Sequence, residues 1–165
     1  MRYVALALFL VFAGLVSPGF ALEQRGALIL NKVPLLEFES PRKLGCTEMY
    51  DVRKDENVPD MRQFRNYNCQ ARYAVILRGE PGYTVTVFGD FNFGKTSGFL
   101  IVIKNDDKPV WIEDIEYLPA GKWVDVPGKD QYGSFRAFYQ AAPRFSQSVA
   151  SIQWGKWWEG EDPRP

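Results

Sequence analysis

The side chains available for acid–base chemistry in this sequence are mainly carboxylates, because the chain has 20 Asp and Glu residues and no histidine. Two carboxylates held about 5 to 10 Å apart can hydrolyse a glycosidic bond. In the densest group, Asp114 and Glu116 share one face of a predicted strand and Glu113 lies on the other. This alternation is typical of a solvated strand face. We interpret the group as surface residues and retain a carboxylate-dependent hydrolase only as a third hypothesis.

The absence of histidine excludes several classes of active site. It removes the Ser-His-Asp and Cys-His nucleophiles, histidine-based zinc and copper sites, and covalent haem attachment through C-x-x-C-H. The run Asn105, Asp106 and Asp107 offers oxygen ligands to Ca²⁺, yet it lacks the glycine and the distal glutamate of an EF-hand loop. We therefore predict a polar turn at this run, and a protein with no catalytic residues, no cofactor and no metal.

One formal match to a phosphate-binding motif runs from Gly89 to Thr96, in the pattern G-x-x-x-x-G-K-T. A phosphate loop requires a helix after the motif, because the N–H groups at the start of that helix bind the phosphate. The run that follows, Phe99 to Ile103, is apolar and rich in β-branched residues, which predicts a strand. We interpret the match as coincidental.

The two cysteines, Cys46 and Cys69, both follow residues 1–21, which have the form of an export signal. Disulfides persist in oxidising compartments outside the cytoplasm. The spacing is not C-x-x-C, and the chain offers no histidine that could complete a metal site. We predict a structural disulfide between them, contributing roughly 3 kcal/mol through loop entropy.

Three of the five tryptophans, Trp154, Trp157 and Trp158, crowd the end of the last predicted strand. Continued alternation would place Trp154 and Trp158 on one face and Trp157 on the other, so at least one should be exposed. Exposed aromatic residues mark protein interfaces or stack on sugar rings. These three residues are the predicted binding site. The alternative is that they close the end of a hydrophobic core.

Residues 1–21 have the form of an export signal. Arg2 precedes an apolar run, Ser17-Pro18-Gly19 breaks the helix, and Ala21 is the last small residue before a charged start. We predict cleavage after Ala21 and a periplasmic or secreted protein. The alternative is an uncleaved anchor, since the run approaches the roughly 20 residues that span a bilayer. From Leu22 onward no segment is long and apolar enough to cross a membrane.

The rest of the chain predicts an all-β, single-domain antiparallel β-sandwich over residues 22–155, followed by a flexible tail over residues 156–165. Arg53 to Arg65 is expected to be an exposed polar loop. Gly79-Glu80-Pro81-Gly82 is expected to close a β-hairpin between its neighbours. About ten short strands are predicted, at Gly26–Asn31, Leu35–Glu39, Cys46–Val52, Ala71–Leu77, Tyr83–Phe88, Phe99–Ile103, Val110–Tyr117, Trp123–Val126, Gly133–Tyr139 and Ser148–Trp154.

Charge and composition bear on the partner. The 20 basic and 20 acidic residues balance, whereas nucleic-acid binding normally needs a basic excess, so we predict no nucleic-acid partner. No N-x-S/T sequon occurs, which favours a bacterial source. The sequence therefore predicts an exported, non-enzymatic protein acting by binding, as an accessory or interaction protein of the bacterial envelope with a protein partner. The alternative is a small module that binds a carbohydrate or another ligand.

Overall fold

The computed structural model describes residues 27–34, 49–64 and 71–163. Within them lie nine strands, and the only helices are short 3-10 turns. The strands are β1 (Ala27–Pro34), β2 (Met49–Arg53), β3 (Ala71–Leu77), β4 (Thr84–Phe88), β5 (Phe99–Lys104), β6 (Val110–Ile112), β7 (Trp123–Val126), β8 (Phe135–Gln140) and β9 (Ser151–Trp154). The predicted strand Leu35–Glu39 lies outside the described residues.

The strands form two antiparallel sheets. The four-stranded sheet has the order β2-β1-β3-β6, and the five-stranded sheet has the order β7-β8-β5-β4-β9. Alternate residues of each sheet point inward into one apolar core, for example Leu28, Leu30 and Val75 from the first sheet and Val87 and Leu100 from the second. The predicted all-β sandwich is confirmed.

The connection between β3 and β4 differs from the prediction. These strands lie in different sheets, since β3 pairs with β1 and β6 whereas β4 pairs with β5 and β9. The predicted hairpin is therefore wrong. Gly79 and Gly82 have positive φ and reverse the chain as expected, but the reversal carries it from one sheet across the core to the other.

The polar segment after β2 is also less exposed than its composition suggests. Val58 and Met61 are buried. The Val58 backbone exchanges two 2.8 Å hydrogen bonds with Ile152 of β9, and the Met61 N–H donates to the Ala150 carbonyl at 2.8 Å. The segment is largely exposed, as predicted, but these two side chains are buried because it pairs with the outer edge of β9.

The five-stranded sheet carries a second apolar cluster on its outer face. The register aligns Thr86, Ile101, Phe138 and Trp123 in one row across β4, β5, β8 and β7. Residues of this face, with Phe88 and Phe99 beside the row, pack against Trp157 and Trp158. This sheet is therefore covered on both sides, and the chain beyond β9 supplies the outer cover.

Candidate functional site

The segment after β9 determines where the predicted binding residues lie. Strand β9 ends at Trp154, and Gly155 takes a φ of 79°, which favours glycine. From that point the chain folds over the outer face of the five-stranded sheet, where Trp157 and Trp158 pack into the outer cluster and Pro163 is buried. We call residues 156–163 the C-terminal strap. The mobility predicted for residues 156–165 stays a prediction.

Trp157 attaches the strap to the middle of the sheet. Its indole Nε1–H donates to the Thr86 hydroxyl at 2.8 Å, and Thr86 is fully buried. Its ring lies against Phe88 and Phe99, with centroids 5.7 Å and 5.5 Å away. The side chain is half-buried, so one part of the indole anchors the strap and another part remains accessible.

Trp158 attaches the strap to strand β7, at one edge of the five-stranded sheet. It is only 8% exposed, and its ring centroid lies 5.6 Å from that of Trp123 on β7. Trp123 in turn donates its indole N–H to the Glu161 carbonyl at 2.9 Å. Trp158 therefore packs as an apolar residue of the outer cluster, and most of its surface is unavailable to a ligand.

Trp154 lies away from both. It is 8% exposed and belongs to the core between the sheets, where it meets Tyr83 edge to face at 6.5 Å. Its indole N–H has no hydrogen-bond acceptor within the described part of the chain. The expected pairing of Trp154 with Trp158 on one face is wrong, because alternation stops where β9 stops.

A groove opens along the strap. It has a volume of about 620 Å³ and is lined by Lys95, Trp157, Trp158, Glu159, Gly160, Glu161 and Asp162. Of the three predicted binding residues, the structure brings Trp157 and Trp158 to this groove, whereas Trp154 is not among its lining residues. Sequence reasoning missed Lys95 and the acidic residues of the groove, since only the folded strap brings them together.

Lys95 reaches the groove from the loop between β4 and β5, the loop that matches the phosphate-binding pattern. Asp90 organises this loop, because its carboxylate accepts hydrogen bonds from the Ser97 N–H at 2.7 Å and the Ser97 hydroxyl at 2.5 Å. Strand β5 follows the loop, as predicted, and not the helix that a phosphate loop requires. The Lys95 ammonium lies 4.5 Å from the centroid of the Trp157 ring, within cation–π distance.

The described residues that line the groove carry more negative than positive charge. Glu159, Glu161 and Asp162 are exposed, and their carboxylates form no ion pair within the described ranges. The basic groups are Lys95, which lines the groove, and the neighbouring Lys156, whose ammonium donates to the Gly160 carbonyl at 3.2 Å and lies 5.4 Å from the Trp158 ring centroid. The carboxylates outnumber these two ammonium groups.

The carboxylates singled out in the sequence hold turns together. Strand β6 ends at Ile112, so Asp114 and Glu116 lie beyond it and do not share a strand face as predicted. The Asp114 carboxylate accepts from the Glu116 N–H at 2.9 Å. The Glu116 carboxylate accepts from the Ser146 N–H at 2.8 Å. Both carboxylates therefore bond to backbone groups.

The turn at Asn105 to Asp107 surrounds a buried lysine. The Lys104 ammonium donates to the carbonyls of Asp106 and Lys108 and lies 3.9 Å from the Asp106 carboxylate. Burial lowers the pKa of Lys104 below its ordinary value, against the opposing effect of Asp106 and Asp107. Hydrogen bonds from Ser134, joined by the Lys108 N–H and the Lys104 charge, lower the pKa of Asp106.

Two other features mark the limits of the site. Among the described residues, no cluster of three or more Asp, Glu, Cys or His side chains is arranged to hold a metal ion, and no helix has the length and apolar character to cross a bilayer. Residues 1–21 and both cysteines, Cys46 and Cys69, lie outside the described ranges. The export signal and the disulfide therefore stay predictions.

A second exposed aromatic feature was also missed in the sequence. Trp111 on the edge strand β6 and Tyr132 are each 38% exposed, with ring centroids 5.9 Å apart. Neither residue lines the groove beside the strap, which remains the candidate site.

Comparisons with known proteins found no matching family model, no matching curated relative and no matching solved structure.

Proposed function

We propose that this protein acts by binding, without catalysis, and that it holds a protein partner in the groove beside the C-terminal strap. The single observation that carries the proposal is the composition of the groove. Half-buried Trp157 presents part of its indole beside three exposed carboxylates, in a space of about 620 Å³. An amphipathic aromatic ring with polar groups around it is common at protein interfaces.

The export signal predicted at residues 1–21 supplies the setting. It supports a role as an accessory or interaction protein of the bacterial envelope, periplasmic or secreted. Asp114 and Glu116, the carboxylates that the sequence singled out for hydrolysis, each accept a hydrogen bond from a backbone N–H, and neither lines the groove. A glycosidase needs two carboxyl groups facing a shared substrate space, so these two residues give no support for hydrolysis at the groove.

A small-ligand or carbohydrate-binding module is the second candidate. The volume of the groove favours it, since ligand pockets commonly measure about 300 to 1,000 Å³. The orientation of the indoles argues for a protein partner, because the rings of Trp157 and Trp158 meet at 77° and do not form one flat ledge for a sugar ring.

Site-specific photocrosslinking in the native host tests the proposal. A photoreactive phenylalanine analogue replaces Glu159 in the groove. In a matched control it replaces Glu80, which is exposed in the connection between β3 and β4. We expect a discrete protein adduct from position 159 and none from position 80. Equal adducts at both positions, or none at position 159, contradict the proposal. Groove-dependent retention on immobilised envelope glycans without any protein adduct would favour the second candidate.

A further inference from the structure

We infer that the groove recognises a positively charged side chain, an arginine or a lysine in a basic segment of the partner. The inference rests on the proposed function and names the chemistry of the group that the site accepts. Three observations lead to it: cations already lie on the indole faces, three exposed carboxylates line the same groove, and the local charge differs from that of the whole chain.

The indoles of the outer cluster already carry cations. The Lys95 ammonium lies 4.5 Å from the Trp157 centroid, and the Lys156 ammonium lies 5.4 Å from that of Trp158. A third pair follows along the same sheet face, where the Arg136 guanidinium lies 4.8 Å from the Trp123 centroid. The negative face of an indole attracts cations within about 6 Å. The chain's own ammonium groups therefore occupy positions that suit a ligand cation.

The carboxylates make the accessible part of the groove favourable to further positive charge. Glu159, Glu161 and Asp162 are all exposed and have no ion pair within the described residues. The whole chain has 20 basic and 20 acidic residues, so this negative surplus is local. An anionic ligand would meet three carboxylates, whereas a guanidinium can contact an indole face and a carboxylate together.

Lys95 has a distinct part in this arrangement, because its ammonium lies over the ring of Trp157. A ligand cation that takes this position on the ring has to displace the Lys95 ammonium. Removing that ammonium should therefore favour the ligand, both by vacating the ring and by making the groove more negative. A role of Lys95 as a direct ligand contact predicts the opposite sign.

The probe is an acetylated, amidated tetra-arginine peptide, with tetra-glutamate as its charge-reversed counterpart, titrated by calorimetry into the mature chain at low ionic strength. The groove variant is Glu159→Gln with Glu161→Gln and Asp162→Asn. Its matched control is Glu80→Gln with Asp107→Asn and Glu113→Gln, which removes three exposed carboxylates elsewhere. Neither set removes a buried side chain, so both variants should unfold at nearly the same temperature as the parent.

We expect tetra-arginine to bind the parent and tetra-glutamate not to bind. The groove variant should lose about tenfold in affinity, and the control less than twofold. Lys95→Ala should bind tetra-arginine at least twofold more tightly. Equal losses in the two triple variants, or weaker binding by Lys95→Ala, overturn the inference.

The crosslinking experiment distinguishes failure of the inferred cation recognition from failure of the proposed function. An adduct at position 159 that persists when Glu161 and Asp162 are neutralised overturns recognition of a cation but leaves the groove as the partner site. Binding of tetra-arginine with no adduct in the native host overturns the proposed partner and supports the chemistry of the groove.

Discussion

Replacing Trp158 with alanine tests whether the strap is an integral part of the folded domain. The indole is only 8% exposed and lies 5.6 Å from Trp123 and 5.7 Å from Trp157, ring centroid to ring centroid. Truncating a buried tryptophan usually costs about 3 to 5 kcal/mol, from lost transfer free energy and from the cavity left behind. The neighbours of Trp158 in the strap are half-buried Trp157 and exposed Glu159, so the strap can relax into the cavity and we expect the low end, about 3 kcal/mol.

Urea unfolding followed by far-ultraviolet circular dichroism measures the effect, because tryptophan fluorescence changes with the substitution itself. The midpoint should fall while the slope of free energy against urea stays constant. Tyr117→Ala is the matched control, since Tyr117 is 85% exposed and its loss should change stability by less than about 0.5 kcal/mol. If Trp158→Ala unfolds like the control, the strap does not stabilise the fold, and the mobile tail predicted from sequence is supported.

Three further predictions concern single interactions. Thr86→Val should lower the free energy of unfolding by about 1 to 3 kcal/mol, because the indole N–H of Trp157 loses its acceptor; in the same urea assay, an unchanged midpoint would contradict this. Burial lowers the pKa of Lys104 below its ordinary value of 10.5 in the folded state. The unfolded chain therefore binds this proton more tightly, and the free energy of unfolding should rise as pH increases from the folded pKa toward 10.5. Lys104→Met should remove this rise, and a variant with the parent's pH dependence would count against it. Cys69→Ser should lower stability by roughly 2 to 5 kcal/mol if the disulfide forms, and two titratable thiols in unreduced parent protein would rule the disulfide out.

The strands could be predicted because their side chains alternate between a core and an outer face. Strand β4 is an example, in which Val85 and Val87 enter the core between the sheets while Thr86 lies on the other face of the sheet. Strand β5 reads as a continuous apolar run because both of its faces are covered, by the sandwich core and by the outer cluster. Alternation therefore indicated strand β4, and the continuous apolar run indicated strand β5.

Pairing between strands could not be predicted in the same way. The turn residues from Gly79 to Gly82 indicate a reversal of the chain, and a reversal is compatible with a hairpin or with a crossing between sheets. The inward residues of β3 and β4 face one shared core in either case. Only the contacts with distant strands decide between the two, and a local pattern contains no information about them.

The candidate site was predicted in part, for a related reason. Trp157 and Trp158, which the sequence singled out by their crowding, line the groove, but alternation was extended past Trp154, where Gly155 ends the strand. Lys95 is far from them in sequence and belongs to a segment that resembles a phosphate loop. Its position over Trp157 depends on how the strap crosses the sheet, which no spacing in the sequence specifies.

The double role of the indoles determines which substitutions can separate binding from folding. Trp157 donates to buried Thr86 and Trp158 packs on Trp123, so truncating either ring removes contacts that hold the strap as well as the floor of the groove. A loss of binding in such a variant has two causes that one measurement cannot distinguish. The carboxylates of Glu159, Glu161 and Asp162 are exposed and form no ion pair within the described residues, so changing them alters the groove while the strap keeps its anchors. Charge-neutral variants of these three carboxylates therefore report on recognition, and alanine variants of the indoles report on stability.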